Sequence, residues 1–314
     1  MRILSAADVA RALPMSDCID VMAEALAARA TGDVEQPLRT AYAPPTAGGR
    51  LSVWMPVYRG GDRPMLGTKL LFLVPDNPSR GLDTHQGITA LYDGVTGEPR
   101  AILDASAITS IRTAAVSALA TRVLANENAS TLAIIGAGVQ AEAHLQAIPL
   151  VREIASAKVY SPRSAQALVD RMDVPFSLSA AASAEEAVRD ADIVVTATTS
   201  KTPVLSFGWL KPGAHVNAIG SSIPTDRELD DETVANAEVY ADARESVEAE
   251  SGDVRPEHLR GELGEVLVGK ASGRSSAGAL TVFRSLGIAA EDLYAAESAV
   301  RRAIELGIGV EAPI

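Results

Sequence analysis

The residues Thr131 to His144 read TLAIIGAGVQAEAH, an apolar run that passes through two glycines into a helix-forming stretch. Gly136 allows a sharp turn out of a strand. Gly138 leaves room for a pyrophosphate to meet the backbone without a Cβ, and Ala141 stands where a third small residue lets helix and strand pack closely. A helix opening at Val139 would direct unpaired N–H groups and its positive dipole end at an anion, so Gly136, Gly138, Val139 and Gln140 are the candidate phosphate contacts. This chemistry is the binding of a dinucleotide. GxGxxA occurs by chance in alanine-rich chains, and the preceding strand together with the βα rhythm that follows is what raises it above coincidence.

Selection of the nicotinamide cofactor rests on the end of the next strand, which reads Val159, Tyr160, Ser161, Pro162, Arg163. NAD-selective sites place a carboxylate there to bind the ribose 2′-OH. Here there is none, while Ser161 and Arg163 offer a hydroxyl and a guanidinium to a 2′-phosphate. The expectation is NADPH over NADH; the plainer reading of Arg163 is a solvated residue in the next helix's first turn.

These groups need a scaffold, and 314 residues with 47% hydrophobic side chains suffice for two domains. The net charge of −12 argues against nucleic acid or an anionic membrane as partner. Cys18 is the one cysteine and lies in an apolar helical pattern, which points to a buried, inert thiol. No window approaches a membrane span, no leader pattern opens the chain, and a cytoplasmic protein is expected. The four histidines His85, His144, His215 and His258 are scattered without metal-ligand spacing, so no metal site is expected.

Ser5 and Asp8 form a capping pair for a first helix, Ser16 is expected to open a second, and Gly32 to end it. From Leu38 to Leu103 short β-like runs alternate with Gly, Pro and Asp-Gly turns, the pattern of an antiparallel region. The segment ASAITSIRTAAVSALATRVLA then predicts a long helix joining two domains. Beyond it TLAII, AKVY, DIVVTAT, AHVNAIG and AEVYAD are near-continuously apolar, as parallel strands buried on both faces are, with helices between them. The last segment, AAEDLYAAESAVRRAIELG, is an amphipathic helix that can return to the N-terminal domain. The expected class is α/β: a Rossmann domain over residues 117–289, and an N-terminal α+β substrate-binding and dimerisation domain over 1–116 completed by 290–314.

RTAAVSALATRVLA followed by IIGAGVQAEAHL resembles the ornithine cyclodeaminase and mu-crystallin family. MPVY at Met55–Tyr58, GTKL at Gly67–Leu70, THQ at Thr84–Gln86, DGVTGEPRAILD at Asp93–Asp104, GELGEVLVGKASGR and TVFRSLG extend the resemblance over most of the chain. The resemblance implies a homodimeric, nicotinamide-dependent enzyme acting at the carbon–nitrogen bond of an α-imino or α-amino acid. It maps a substrate-carboxylate clamp onto Arg39, Lys69 and Arg112. Cations from two strands and a helix can converge on one anion, with Lys69 also a proton donor. Lys69 lies in an apolar run, where burial without an anion would be costly; the alternatives are a solvated strand lysine and, for Arg112, a surface ion pair. The family also suggests Thr113 beside the phosphates and Ser285 towards the nicotinamide, while Thr198, with Thr196 or Thr199 as alternatives, lies at the carboxyl edge where such sheets bind ligands. His85 is a candidate pocket residue or simply a polar residue near a strand start.

One departure from the family is informative. Where cyclodeaminases and related alanine dehydrogenases carry an aspartate in a turn resembling GxDxPGKxEL, this chain reads Gly220, Ser221, Ser222, Ile223, Pro224, Thr225, Asp226, Arg227, Glu228, Leu229. Ser222 occupies the aspartate's place and cannot serve as a carboxylate base; mu-crystallin has a similar turn. Asp226 is expected to cap or flank the following helix. The reading is reduction of an α-imino acid, such as Δ1-pyrroline-2-carboxylate or its six-membered homologue. Lys69, or a water held by Ser222 or His85, would supply the proton. Alternatives are an amino-acid or N-alkyl amino-acid dehydrogenase, an ornithine cyclodeaminase, and a non-catalytic NADPH-binding protein.

Overall fold

The computed structural model describes residues 1–220 and 222–313, Pro78 by its backbone alone. The chain divides into two compact units, Met1–Arg112 with Ile288–Ile314, and Thr113–Gly287.

The first unit begins with β1 (Arg2–Leu4), α1 (Ala6–Ala12) and α2 (Met15–Thr31). Ser5 and Asp8 form the α1 capping box, and Gly32 closes α2 in the left-handed conformation. Helix α2 starts at Met15 with Pro14 as its N-cap, one residue before the expected Ser16. There follow β2 (Val34–Glu35), β3 (Thr40–Tyr42), β4 (Leu51–Arg59), β5 (Met65–Leu73), β6 (His85–Asp93) and β7 (Pro99–Asp104). Strands β4 to β7 pair antiparallel in sequence order, and β1 joins the far edge parallel to β7.

Alternation along these strands gives the sheet two different faces. Val53, Met55, Val57, Lys69 and Leu71 point inward, where α10 (Ala289–Leu306) lies against β4, β5 and β6. A Cβ on Gly67 would stand 2.7 Å from Leu293 Cδ1, so the Leu293 side chain of α10 packs directly over this glycine. Arg59 fixes the helix further on, pairing with Glu297 and lying over the Tyr294 ring at 5.2 Å. Trp54, Leu70 and Ile88 face one another across β4, β5 and β6 on the other side and remain exposed.

Helix α3 (Ala105–Leu124) opens on Asp104, whose carboxylate accepts the Ala107 N–H at 2.8 Å. Its residues 112–121 are buried all round.

The second unit holds an eight-stranded, wholly parallel sheet: β8 (Thr131–Ile135), β9 (Ser156–Tyr160), β10 (Ser177–Ala180), β11 (Ile193–Thr196), β12 (His215–Ala218), β13 (Glu238–Ala241), β14 (Leu259–Glu262) and β15 (Thr281–Arg284). Their order is β10-β9-β8-β11-β12-β15-β13-β14, with order reversing about β8. Helices α4 (Val139–Ala147), α5 (Ala165–Arg171) and α6 (Ala184–Val188) connect the first strands; α7 (Asp231–Asn236), α8 (Arg244–Glu250) and α9 (Leu263–Leu267) belong to the remainder. Val194, Val216, Val239 and Val282 from four neighbouring strands meet in its core. β16 (Val310–Glu311) returns to β1 in the first unit. No helix among the described residues is long and apolar enough to cross a membrane.

Candidate active site

In the second unit the glycine turn follows β8 directly. Gly136 has φ 124°, and a Cβ there would stand 2.3 Å from the Ala197 carbonyl oxygen, so this position requires glycine. Gly138 is the N-cap of α4 and has no side-chain cap, and a Cβ built on it meets nothing within 4 Å. An uncapped nine-residue helix facing open space fits a pyrophosphate. Ala141 is fully buried behind the turn and Val139 is exposed at its mouth. Thr113 is buried in α3. Ser161 is half-buried just past β9, and Arg163 is exposed in the turn before α5.

At the carboxyl ends of β11 and β12 a buried carboxylate absent from the expected set organises the backbone. Glu228 Oε1 accepts the Thr198 N–H and hydroxyl, both at 2.8 Å, and Oε2 accepts the Thr196 hydroxyl at 2.8 Å and the Gly220 N–H at 2.7 Å. Burial pushes this carboxyl up, opposed by the Arg284 charge and these hydrogen bonds. Arg284 in turn pairs with Asp253 at 2.9 Å, and Asp253 accepts the Glu228 and Leu229 N–H groups. The Thr198 hydroxyl is thus committed to Glu228, while Thr199 is exposed. Ser285 is buried just beyond β15. Ser222 is half-buried on the same loop as Glu228. The helix cap expected from Asp226 is made by Asp230, which accepts the Thr233 N–H; Asp226 lies in the preceding turn.

In the first unit Lys69 projects from the inner face of β5 and is 2% exposed. Its ammonium donates to Thr109 Oγ1 at 2.5 Å and to Asp292 Oδ1 at 3.1 Å. The same Asp292 oxygen accepts Arg112 Nε at 3.1 Å, and Arg112 Nη1 reaches Glu291 at 2.7 Å. The anion that makes Lys69's burial tolerable is therefore Asp292 of α10, and Arg112 is a buried ion pair, not a surface one. Both carboxylates sit in the first turn of α10, at the positive end of its dipole, and Gln36 caps that end through the Ala290 N–H.

Burial pulls the Lys69 ammonium down to about 8, against the opposing pull of Asp292, with Arg112 and Arg39 adding to the fall. Although burial pushes Asp292 up, the Lys69 and Arg112 charges outweigh it and hold the carboxyl below its ordinary value. Arg39 is half-buried in the connection before β3, not on a strand. His85 is the first residue of β6 and is exposed; desolvation beside the site, then the Lys69 and Arg112 charges, push its imidazole below its ordinary value, so the ring is neutral near pH 7. Cys18 is buried, and that burial pushes its thiol up. Lys69, Arg112 and the charge of Arg39 come together here. Glu291 and Asp292 were not expected, although an acidic pair opening an otherwise apolar helix face was their signal.

A parallel sheet with a glycine turn at its first strand and an uncapped helix after it places this chain among the Rossmann-type α/β proteins. The ornithine cyclodeaminase/mu-crystallin family matches residues 1–305, and the chain belongs to it. It is 38% identical to a Δ1-pyrroline-2-carboxylate reductase of Bacillus cereus, over 78% of this chain and 79% of that protein. It is also 38% identical to the ketimine reductase mu-crystallin of Mus musculus, over 85% and 84%. Among solved structures, the Thermococcus litoralis Δ1-pyrroline-2-carboxylate reductase in complex with NADH and L-proline has a TM-score of 0.94 at 34% identity, covering 99% of this chain and 100% of that one. An archaeal alanine dehydrogenase dimer with bound NAD has a TM-score of 0.92 at 30% identity, covering 100% and 99%.

Proposed function

We propose that the protein is an NAD(P)H-dependent reductase of α-imino acids, with a cyclic ketimine such as Δ1-pyrroline-2-carboxylate as substrate. The observation that carries this reading is Lys69. An ammonium has three donors; Lys69 uses two among the described residues, and its affinity for the proton is tuned to about 8. A buried cation with one N–H unused and a proton it can release near neutral pH suits an imine, which must be protonated before its carbon accepts hydride.

In this reading Arg39 and Arg112 hold the substrate carboxylate, and the Lys69 ammonium gives its proton to the imine nitrogen, then regains one from solvent. His85, neutral near pH 7, orients and accepts but does not supply the proton. Gly136, Gly138, Val139, Gln140 and Thr113 hold the dinucleotide phosphates, with Thr198 and Ser285 at the strand ends. A reduced nicotinamide supplies the hydride when bound. Ser222 offers a hydroxyl where a cyclodeaminase has a carboxylate, so ornithine lacks its amine-handling base. The open end of β9, with Ser161 and Arg163 and no carboxylate at the tip, supports NADPH over NADH.

The apolar sheet face of the first unit supports a homodimer. Trp54 and Phe72 are each about half exposed, at 49% and 50%, and with Leu66, Leu70 and Ile88 they form a contiguous patch of the kind buried by a second copy. The test is an oxidation screen of NADPH and NADH over cyclic ketimines, pyruvate with ammonia or methylamine, and ornithine. Turnover with pyrroline- or piperideine-2-carboxylate is expected. Activity confined to pyruvate with ammonia would indicate an amino-acid dehydrogenase, and proline with ammonia from ornithine would refute the argument from Ser222.

A further inference from the structure

We infer that Asp292 is the positioning residue of the imine-reducing site, one carboxylate oxygen that sets both the place and the charge of the Lys69 ammonium. This rests on the reading of Lys69 as proton donor.

The geometry is specific. Asp292 Oδ1 accepts Lys69 Nζ and Arg112 Nε, each at 3.1 Å, and so ties a strand lysine to a helix arginine through a single atom. Its other oxygen, Oδ2, is buried and has no hydrogen-bond partner among the described residues. A carboxylate kept in a core only for hydrogen bonding would have both oxygens used, because each unused one carries its desolvation cost. Asp292 instead places a whole negative charge against Lys69. Gly67, two residues from Lys69 on β5, leaves room for the side chain of Leu293, the residue after Asp292 on α10.

Every charged group around Lys69 pushes one way or the other. Arg112 on α3 and Arg39 before β3 disfavour the ammonium, as does burial; Asp292 on α10 favours it. Glu291, next on α10, is engaged with Arg112. His85 on β6 is neutral, and Cys18 on α2 stays a thiol. Without Asp292 its favourable pull is lost while burial and the two guanidinium groups remain, and Lys69 would lose its proton at lower pH.

Asp292→Asn keeps the shape and the Oδ1 acceptor and removes the charge; Asp292→Glu keeps the charge and displaces it by a methylene. The experiment is the pH dependence of kcat/KM for both variants and the wild type, measured with a five- and a six-membered cyclic imino acid so that a limb common to both belongs to the protein. Alongside it, the Lys69 Cε resonance is titrated by NMR in 13C-lysine protein, assigned through Lys69→Arg. Asp292→Asn should move the alkaline limb and the Lys69 titration to lower pH by about one unit or more. Asp292→Glu should leave the limb near its wild-type place and raise KM for the imino acid. An unmoved Lys69 titration in folded Asp292→Asn, or wild-type KM in Asp292→Glu, overturns the inference. A wild-type chain that reduces neither imino acid refutes the reading of the reaction instead, and the Lys69 titration still decides the role of Asp292.

Discussion

The Cβ position of Gly136 lies 2.3 Å from the carbonyl oxygen of Ala197, so the turn after β8 and the end of β11 approach as closely as two backbones can. With φ at 124°, Gly136 also occupies a conformation that side-chain-bearing residues rarely adopt. Gly136→Ala should therefore cost about 1–3 kcal/mol in stability and weaken NADPH binding by moving the α4 N-terminus. A lowered Tm with a raised Kd from cofactor fluorescence is the expected pair of results; an unchanged Kd would separate this turn from the phosphates.

As the proposed proton donor Lys69 would act in its protonated form, so the rate of imine reduction should be level below its value of about 8 and fall as pH rises through it. Removing the ammonium by Lys69→Ala should lower kcat by about 10²–10⁴-fold, the usual contribution of a positioned acid. NADPH affinity should stay nearly unchanged, since Lys69 belongs to the unit without the glycine turn. Retained turnover would remove Lys69 from the chemistry.

Arg163 is exposed at the end of β9, where it carries no structural duty in the core. Arg163→Glu should raise KM for NADPH by about ten- to a hundredfold, the value of a charge-assisted hydrogen bond, and leave NADH nearly unaffected. A parallel loss with both cofactors would argue that the turn was merely disrupted.

Two histidines make the second unit sensitive to acid. Burial lowers His144 to about 4 and His215 to about 3. Both are neutral in the fold, whereas the unfolded chain takes up their protons near 6.5, so stability is full above that pH and is lost as pH falls. Each should contribute a loss of about 1.4 kcal/mol per pH unit between roughly 6 and their folded values. Glu228 works in the opposite sense, because burial raises its carboxyl and the folded chain binds its proton first. Urea unfolding of the wild type and of His215→Asn at pH 6.5 and 4.5 isolates one histidine's share, and an equal pH dependence in the two would contradict it.

Local rules made much of the fold legible. The Ser5–Asp8 capping box, the Gly32 stop, the alternation from β4 to β7 and the apolar strands β8, β9, β11, β12 and β13 are set by residues near one another in the chain. Strands β10, β14 and β15 escaped that reading. β10 and β14 lie at the two edges of the sheet and read SLSA and LRGE, so no apolar run marks them, and TVFR of β15 ends on an arginine although it lies in the sheet's middle between β12 and β13.

The amino-acid sequence alone determined the glycine turn, the missing carboxylate beyond β9 and the serine at 222, because each depends on which residue stands at a position within a short motif. Only the tertiary structure decided what meets Lys69. Asp292 is 223 residues away, and nothing in the spacing of either segment joins them. The same holds for Glu228 and the strand-end donors it gathers. Burial makes these pairings obligatory, since a charge taken out of water must find its partner, but which partner it finds is fixed by how helix and sheet pack.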